Sequence, residues 1–380
     1  MSRSNLSSSV SPSPSRIQSI DALRGFVMLV MMVDHVREFF YYHAQLPDPM
    51  DAATTPPALF FTRLAAHICA PIFVALTGMS AWFYGQRAGR RETSLFLLKR
   101  GLFLILLELT LVNFAWTFAF PPQTIFLQVI WAIGLSMLAL AALIHLPRHI
   151  LILVGVVIVM GHNLLDPIGF APGDPGHMPW AILHDRGFID LGEGIRARTS
   201  YPLLPWIGVI ALGYAAAPLV ARPFAARQRW MIGGGILLLT LFLLLRAINI
   251  YGEPLPWTQG VTPLRTVMGF LNLTKYPPSA DFLLVTLGLG LLLLAALDRA
   301  PQRLAATIAV FGAAPLFYYL LHLYILHLLN LLMGQGAPYS LPNVASLWLL
   351  AALLAVPLWF TCRWFGGVKR ASSRWWMRYL

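Results

Sequence analysis

Charge is what this chain has least of. Asp, Glu, Lys and Arg make up 11% of its residues and hydrophobic residues 58%, whereas a soluble globular domain is roughly a quarter charged. That balance excludes an ordinary water-soluble protein, because several apolar runs approach or exceed the ~18–20 residues that cross a bilayer core. Cysteine is nearly missing as well. The two present, Cys69 and Cys362, fall at different expected depths, and a disulfide requires Cα atoms within ~7 Å of each other. Neither a disulfide nor a Cys/His metal site is therefore expected. Phosphate-cradling glycine loops, zinc motifs and Gly-x-Ser-x-Gly elbows are missing too, which removes support for P-loop ATPases, zincins and serine hydrolases. The opening stretch MSRSNLSSSVSPSPSR has no apolar centre and reads as a disordered tail, not as a cleaved signal peptide.

What is there is a series of about ten apolar segments, at roughly 19–42, 58–84, 95–117, 123–145, 148–165, 201–222, 229–250, 279–298, 304–333 and 343–366, each of a length to be read as a membrane-crossing helix. The expected fold class is all-α: a polytopic membrane protein with a disordered tail over 1–18, one transmembrane domain over 19–368 and a basic-aromatic tail over 369–380.

The net charge of +12 comes from 27 Lys+Arg against 15 Asp+Glu, and its location decides its meaning. One set of alternate loops carries Arg87, Arg90, Arg91, Arg148, Arg222, Arg227, Arg229, Arg299 and Arg303, and the C-terminus adds Arg363, Lys369, Arg370, Arg374 and Arg378. The opposite loops hold fewer basic residues, diluted by Asp48, Asp51, Asp166, Asp174, Asp185, Asp190, Glu193 and Glu253. Such asymmetry places both termini in the cytoplasm and accounts for the basic excess without nucleic acid. The closing RWWMRYL fits an interfacial anchor to membrane lipid. Loops 166–200 and 251–278 then lie outside, where long loops either shape a site or simply connect.

Within the apolar segments a few polar residues stand out, since a charge at the bilayer centre costs ~2.5–3.5 kcal/mol even on insertion scales. In RGFVMLVMMVDH, Arg24 and His35 are eleven residues apart. That is three helical turns with an excess of ~20°, so both project from one face, separated by ~16 Å of rise. Asp21, one turn before Arg24, can pair with it. Asp34 and Glu38 either orient His35 or neutralise Arg37. Arg63 and His67 lie four apart in the second segment, and Tyr318, His322 and His327 stand in the ninth, with Lys275, Tyr276 and Asp281 at the outer edge of the eighth. Three segments thus bring imidazoles to one level, with Arg and Lys nearby. A single intramembrane histidine also serves as an interhelical hydrogen-bonder, and Arg63 can snorkel to the interface, so each residue carries a structural alternative. Glu108, Asn113, Gln128, Arg246 and Asn249 are intramembrane as well, without a motif.

This layout suits transfer across a membrane. A basic inner rim attracts an anionic cytosolic molecule such as a nucleotide or coenzyme A phosphate, and a histidine beside a carboxylate is a competent base toward a hydroxyl or amine. Arginine, ten residues, histidine in a first span resembles the corresponding motif of membrane acyltransferase family 3. The wider pattern of SIDALRGFVMLVMMVDH, RLAAHICAPIFVALTGMSAWF, YPLLPWIGVIALGYA, LTKYPPSADFLLVTLG and FGAAPLFYYLLHLYILH is more similar to the heparan-α-glucosaminide N-acetyltransferase group and its bacterial relatives.

The resemblance implies an inner-membrane, multi-pass acyltransferase of about ten helices. It would take an acyl group, usually acetyl, from cytosolic acyl-CoA and deliver it to a carbohydrate acceptor outside, without a metal. The arginine and histidine of the motif fall on Arg24 and His35. The histidine that the heparan enzyme carries on the loop into its second span has no counterpart in TTPPALFF, and His67 falls on a carboxylate position of that enzyme. The expected catalytic set is His35, Asp34 and His67. The expected binding set is Arg24, Asp21, Arg63, Lys275, Tyr276, His322, His327 and Arg100. A homodimer is compatible with this reading. The alternatives are a secondary transporter or lipid-linked-sugar translocase, whose buried histidines and arginines form a relay, and a scaffold or sensor without chemistry.

Overall fold

The computed structural model describes residues 17–41, 49–335, 337, 339–374 and 377. The expected N-terminal tail up to residue 16 and most of the C-terminal anchor lie outside them.

Helices dominate, at 73% of the chain. In chain order they are α1 (Gln18–Phe40), α2 (Pro57–Ala65), α3 (Cys69–Ala88), α4 (Arg90–Leu107), α5 (Asn113–Thr117), α6 (Val129–Leu143), α7 (Arg148–Gly161), α8 (His177–Leu183), α9 (Leu204–Val220), α10 (Phe224–Ile248), α11 (Pro263–Leu271), α12 (Ala280–Arg299), α13 (Gln302–Ala313), α14 (Pro315–Gly334) and α15 (Val344–Ala371). Among the described residues, six helical stretches are long and apolar enough to cross a membrane: 57–88, 148–165, 224–248, 280–299, 315–334 and 344–371. The helices α6 and α9 are apolar but shorter. One buried apolar cluster runs from Ile20 to Cys362.

Close approach of backbones sets the bundle's geometry. Where α1 crosses α13, a Cβ on Gly25 would stand 2.1 Å from the Ile308 carbonyl oxygen, and one on Gly312 would stand 1.9 Å from that of Asp21. Only glycine fits such contacts, the device by which small residues let membrane helices pack. This crossing brings the inner end of α1, with Arg24, against the end of α13.

Four local features depart from a simple row of straight helices. First, the ninth segment is two helices. Pro315 has no N–H and disfavours the helical region for the residue before it, so Ala314 (φ −132°, ψ 58°) breaks the run and Pro315 starts α14. Second, a 3₁₀ turn at Ala66–Ile68 joins α2 to α3, because Pro71 removes the N–H that would bond the His67 carbonyl. Third, Glu108–Val112 forms a π-helical turn between α4 and α5, where the Asn113 side-chain amide donates to the Glu108 carbonyl at 2.6 Å.

Fourth, the expected all-α class needs amending by a small three-stranded sheet. Strands β1 (Thr124–Leu127), β2 (Phe188–Asp190) and β3 (Arg196–Thr199) are ordered β1-β3-β2. β1 is parallel to β3, with Thr124 opposite Arg196, and β2 is antiparallel to β3, with Ile189 opposite Ala197. β1 takes the residues expected to open the fourth apolar segment. The loop over 166–200, expected either to shape a site or simply to connect, contributes the other two strands.

Candidate active site

The site has a cavity at the N-terminal end of α1 and a polar cluster toward its C-terminal end, and α1 runs between them. At the inner end, Arg24 donates through Nη1 to Asp21 Oδ1 at 2.8 Å and to the Gly312 carbonyl at 3.1 Å, and through Nη2 to Ser80 Oγ at 3.1 Å. The helix break supplies that Gly312 carbonyl, because the last carbonyls of α13 have no helical partner. Arg24 lines a cavity of about 360 Å³ whose walls also include Arg100, Lys369, Phe96, Met31 and Tyr319. The N-terminus of α14 opens onto it through Pro315 and Leu316, and a helix start favours anions.

Toward the C-terminal end of α1, His35 Nδ1 lies 2.7 Å from His322 Nε2, with the ring planes 5° from parallel. His322 Nδ1 lies 2.8 Å from the Tyr318 carbonyl. A carbonyl accepts only, so with both rings neutral the protons are assigned in order. His322 Nδ1–H donates to Tyr318, His35 Nδ1–H donates to His322 Nε2, and the lone pair is left on His35 Nε2. Tyr319 stands edge-on to both imidazoles, with centroids 6.0 Å from His35 and 5.7 Å from His322. Tyr319 also lines the cavity, so it borders both halves of the site.

Asp34 does not orient His35. Adjacent residues on a helix point ~100° apart, and the Asp34 carboxylate accepts from Arg37 Nε at 3.1 Å and from Arg63 Nη1 instead. Arg37 also pairs with Glu38. The two acidic residues therefore neutralise Arg37, and the imidazole is oriented by His322. Arg63 is an inward ion pair, its side chain 12% exposed, not a snorkelling cation.

His67 is buried on the 3₁₀ turn, its ring 5.1 Å from that of Phe282 and its Nδ1 without a hydrogen bond among the described residues. Lys275, Arg63 and Asp34 lie within electrostatic reach of it. Lys275 is also within electrostatic reach of Asp34 and His35, and its ammonium sits 5.3 Å from the Tyr276 ring centroid. The Tyr276 hydroxyl donates to that of Tyr201 at 3.4 Å. His327 is held apart, bonded to the Ala115 carbonyl at 2.9 Å and stacked on Phe118 at 3.8 Å. The aromatic pair Phe39 and Trp116 stands between it and His35.

Tyr319, Trp116 and Tyr201 escaped the sequence reading, because aromatic residues in apolar runs look like any other core position. Glu108 was visible as a lone carboxylate. It is fully buried, accepting from the Trp131 backbone N–H at 3.1 Å through one oxygen while the other has no hydrogen-bond partner among the described residues.

Apolar helices around a buried polar site and a basic-mouthed cavity are the features of a multi-pass membrane protein. A family model described as heparan-alpha-glucosaminide N-acetyltransferase, catalytic, matches residues 16–251, and the chain belongs to that family. The matched region carries Arg24, Asp34, His35, Arg63, His67 and Arg100, and it ends before Lys275 and His322. No curated protein matches the chain.

Proposed function

We propose that the protein moves an acyl group, acetyl by family, from cytosolic acyl-CoA to a hydroxyl or amine of a glycan on the outer side of the inner (plasma) membrane. Ten crossings with both termini in the cytoplasm give that direction. On this reading α1, α4–α5, α6 and α9 also span, alongside the six longer stretches. Family membership supports the reaction class. The observation that carries the reading is the ordered histidine pair, which leaves His35 Nε2 as an oriented base beyond the cavity that Arg24 opens.

The coenzyme A phosphates are held at the inner mouth by Arg24, Arg100 and Lys369, near the start of α14. The pantetheine arm lies along the cavity toward Tyr319, and the thioester reaches His35 when the Tyr319 ring turns aside. The acceptor enters from outside past Lys275, Tyr276 and Arg63. His35 Nε2 takes the proton from the acceptor as its oxygen or nitrogen attacks the thioester carbonyl. His322 stabilises the imidazolium by accepting from Nδ1–H. The Arg63 and Lys275 cations stabilise the developing oxyanion. When the carbon–sulfur bond breaks, the proton passes from Nε2 to the departing thiolate, giving acylated acceptor and free CoA without a metal. His67, buried in the same cluster, shapes the acceptor side.

The test is turnover of purified protein with acetyl-CoA and a panel of amino sugars. His35→Ala is expected to lose activity by ~10²–10⁴-fold, and full turnover by that variant removes the assignment. The break between α13 and α14 is also a device by which secondary carriers build midplane sites. Substrate counterflow in liposomes without acyl-CoA is the result that favours a carrier.

A further inference from the structure

A second cluster of chemically capable side chains lies where the outer loop meets the tip of α7, away from the histidine pair. His162 opens a 3₁₀ turn at His162–Leu165, and Asp166 follows it four residues on. His184 ends α8 and comes back onto the same spot. One ligand atom from each of these three residues can be chosen so that all lie within 4.8 Å of one another. His162 is 2% exposed, and neither of its ring nitrogens has a hydrogen-bond partner among the described residues, although the Pro278 carbonyl is near.

The surroundings fix the other two groups. His184 Nδ1 is 3.1 Å from Asp185 Oδ1, and its ring stacks on Trp180 at 5.0 Å. Asp166 Oδ2 accepts from the Asn163 side-chain amide at 2.9 Å, leaving Oδ1 turned toward His184. A carboxylate on the far nitrogen of a histidine is the outer-shell arrangement that orients a metal-binding imidazole. With Nδ1–H donated to Asp185, His184 Nε2 is a lone pair. It faces Asp166 Oδ1 at 3.4 Å and the His162 carbonyl at 3.1 Å. These are three acceptors together, and they require a cation or an extra proton. Tetrahedral zinc ligands bound at ~2.0–2.2 Å stand ~3.3–3.5 Å apart, the separation seen between His184 and Asp166.

We propose that His162, Asp166 and His184 bind a divalent transition-metal ion of the zinc class, with water completing the shell, and that it clamps the outer loop to the bundle. Two imidazoles and one carboxylate favour zinc over magnesium or calcium, which take oxygen ligands. The clamp acts on the acceptor side. Asn163 Oδ1 accepts from the Ala280 N–H at 2.9 Å at the start of α12. Arg186, two residues past His184, lies 5.0 Å from the Tyr276 ring centroid. Metal binding thus ties loop 166–200 to the segment bearing Lys275 and Tyr276.

The experiment strips detergent-purified protein with EDTA, adds back zinc chloride, and measures bound metal by mass spectrometry after gel filtration. About one zinc per chain is expected, with a raised unfolding temperature and slower proteolysis of the outer loop. Asp166→Asn and His184→Gln should lose the metal, whereas His177→Ala, a half-buried imidazole outside the cluster bonded to the Phe170 and Phe188 carbonyls, should keep it. Zinc-edge X-ray absorption on wild type should show two imidazoles and oxygen ligands, a readout that stands even where a variant misfolds. Wild type without stoichiometric zinc, or zinc retained in both cluster variants, overturns the site. Zinc that binds without slowing proteolysis overturns the clamp.

Discussion

His35 Nδ1 lies 2.7 Å from His322 Nε2, joining the first long helix to the second half of a broken one. The pair does for this imidazole what a carboxylate does in many catalytic histidines. On the proposed mechanism it fixes the tautomer and leaves the opposite nitrogen to act as the base. Because His322 acts through His35, it is a positioning residue, and His322→Ala should lower kcat by about 10–100-fold with the KM for acetyl-CoA unchanged. His322→Gln, whose carbonyl accepts from Nδ1–H, should recover part of the loss. Steady-state kinetics on both variants check this, and equal loss in the two counts against the tautomer argument.

Arg24 is expected to act on the other substrate. Its guanidinium lines the cavity beside Arg100 and Lys369. Arg24→Ala should raise the KM for acetyl-CoA by about tenfold or more, because charge-assisted hydrogen bonds contribute ~1.5–3 kcal/mol. The dependence on acceptor concentration should stay as in wild type. Binding of CoA measured calorimetrically separates this from a folding defect.

The glycine crossing of α1 and α13 predicts a stability effect. Gly312→Ala places a methyl 1.9 Å from the Asp21 carbonyl oxygen, so the helices must separate. Overpacking of this kind costs about 1–3 kcal/mol. Unfolding in mixed micelles followed by circular dichroism should show the loss. The exposed Gly89, with nothing near its Cβ position but a φ of +80°, should cost less on replacement by alanine, about 1 kcal/mol.

Tyr276 gives a pH dependence. Burial opposes ionisation of its phenol, but Lys275 and Arg63 outweigh burial and bring it down to about 8. Since the folded value lies below the unfolded ~10, tyrosinate formation adds stability above the unfolded value, and this is lost as pH falls through about 8. A phenolate absorbance step near pH 8 is expected in wild type, shifted upward in Lys275→Gln and missing in Tyr276→Phe.

Much of this protein was legible from sequence, because the bilayer imposes a one-dimensional rule. An apolar run long enough to cross must satisfy its own backbone hydrogen bonds, so it is a helix. The six long stretches follow from that rule, as does the pairing of Asp21 with Arg24 one turn apart. The outer sheet was not legible. Strands of three or four residues carry too few side chains for an alternation to show, and β1 adjoins an apolar helix.

Residue pairing between helices was decided by the tertiary structure. Sequence placed His35, Asp34, Arg63 and His322 at one depth but could not say which faced which. Adjacency made Asp34 look like the partner of His35, yet successive helical residues diverge by ~100°. Asp34 was taken by Arg37 and Arg63, while an imidazole 287 positions away oriented His35. The break at Ala314 likewise follows from Pro315, but that its freed carbonyl would meet Arg24 depended on how closely α1 and α13 approach. Local chemistry thus fixed which stretches are long apolar helices, and side-chain packing between non-neighbouring helices fixed who meets whom.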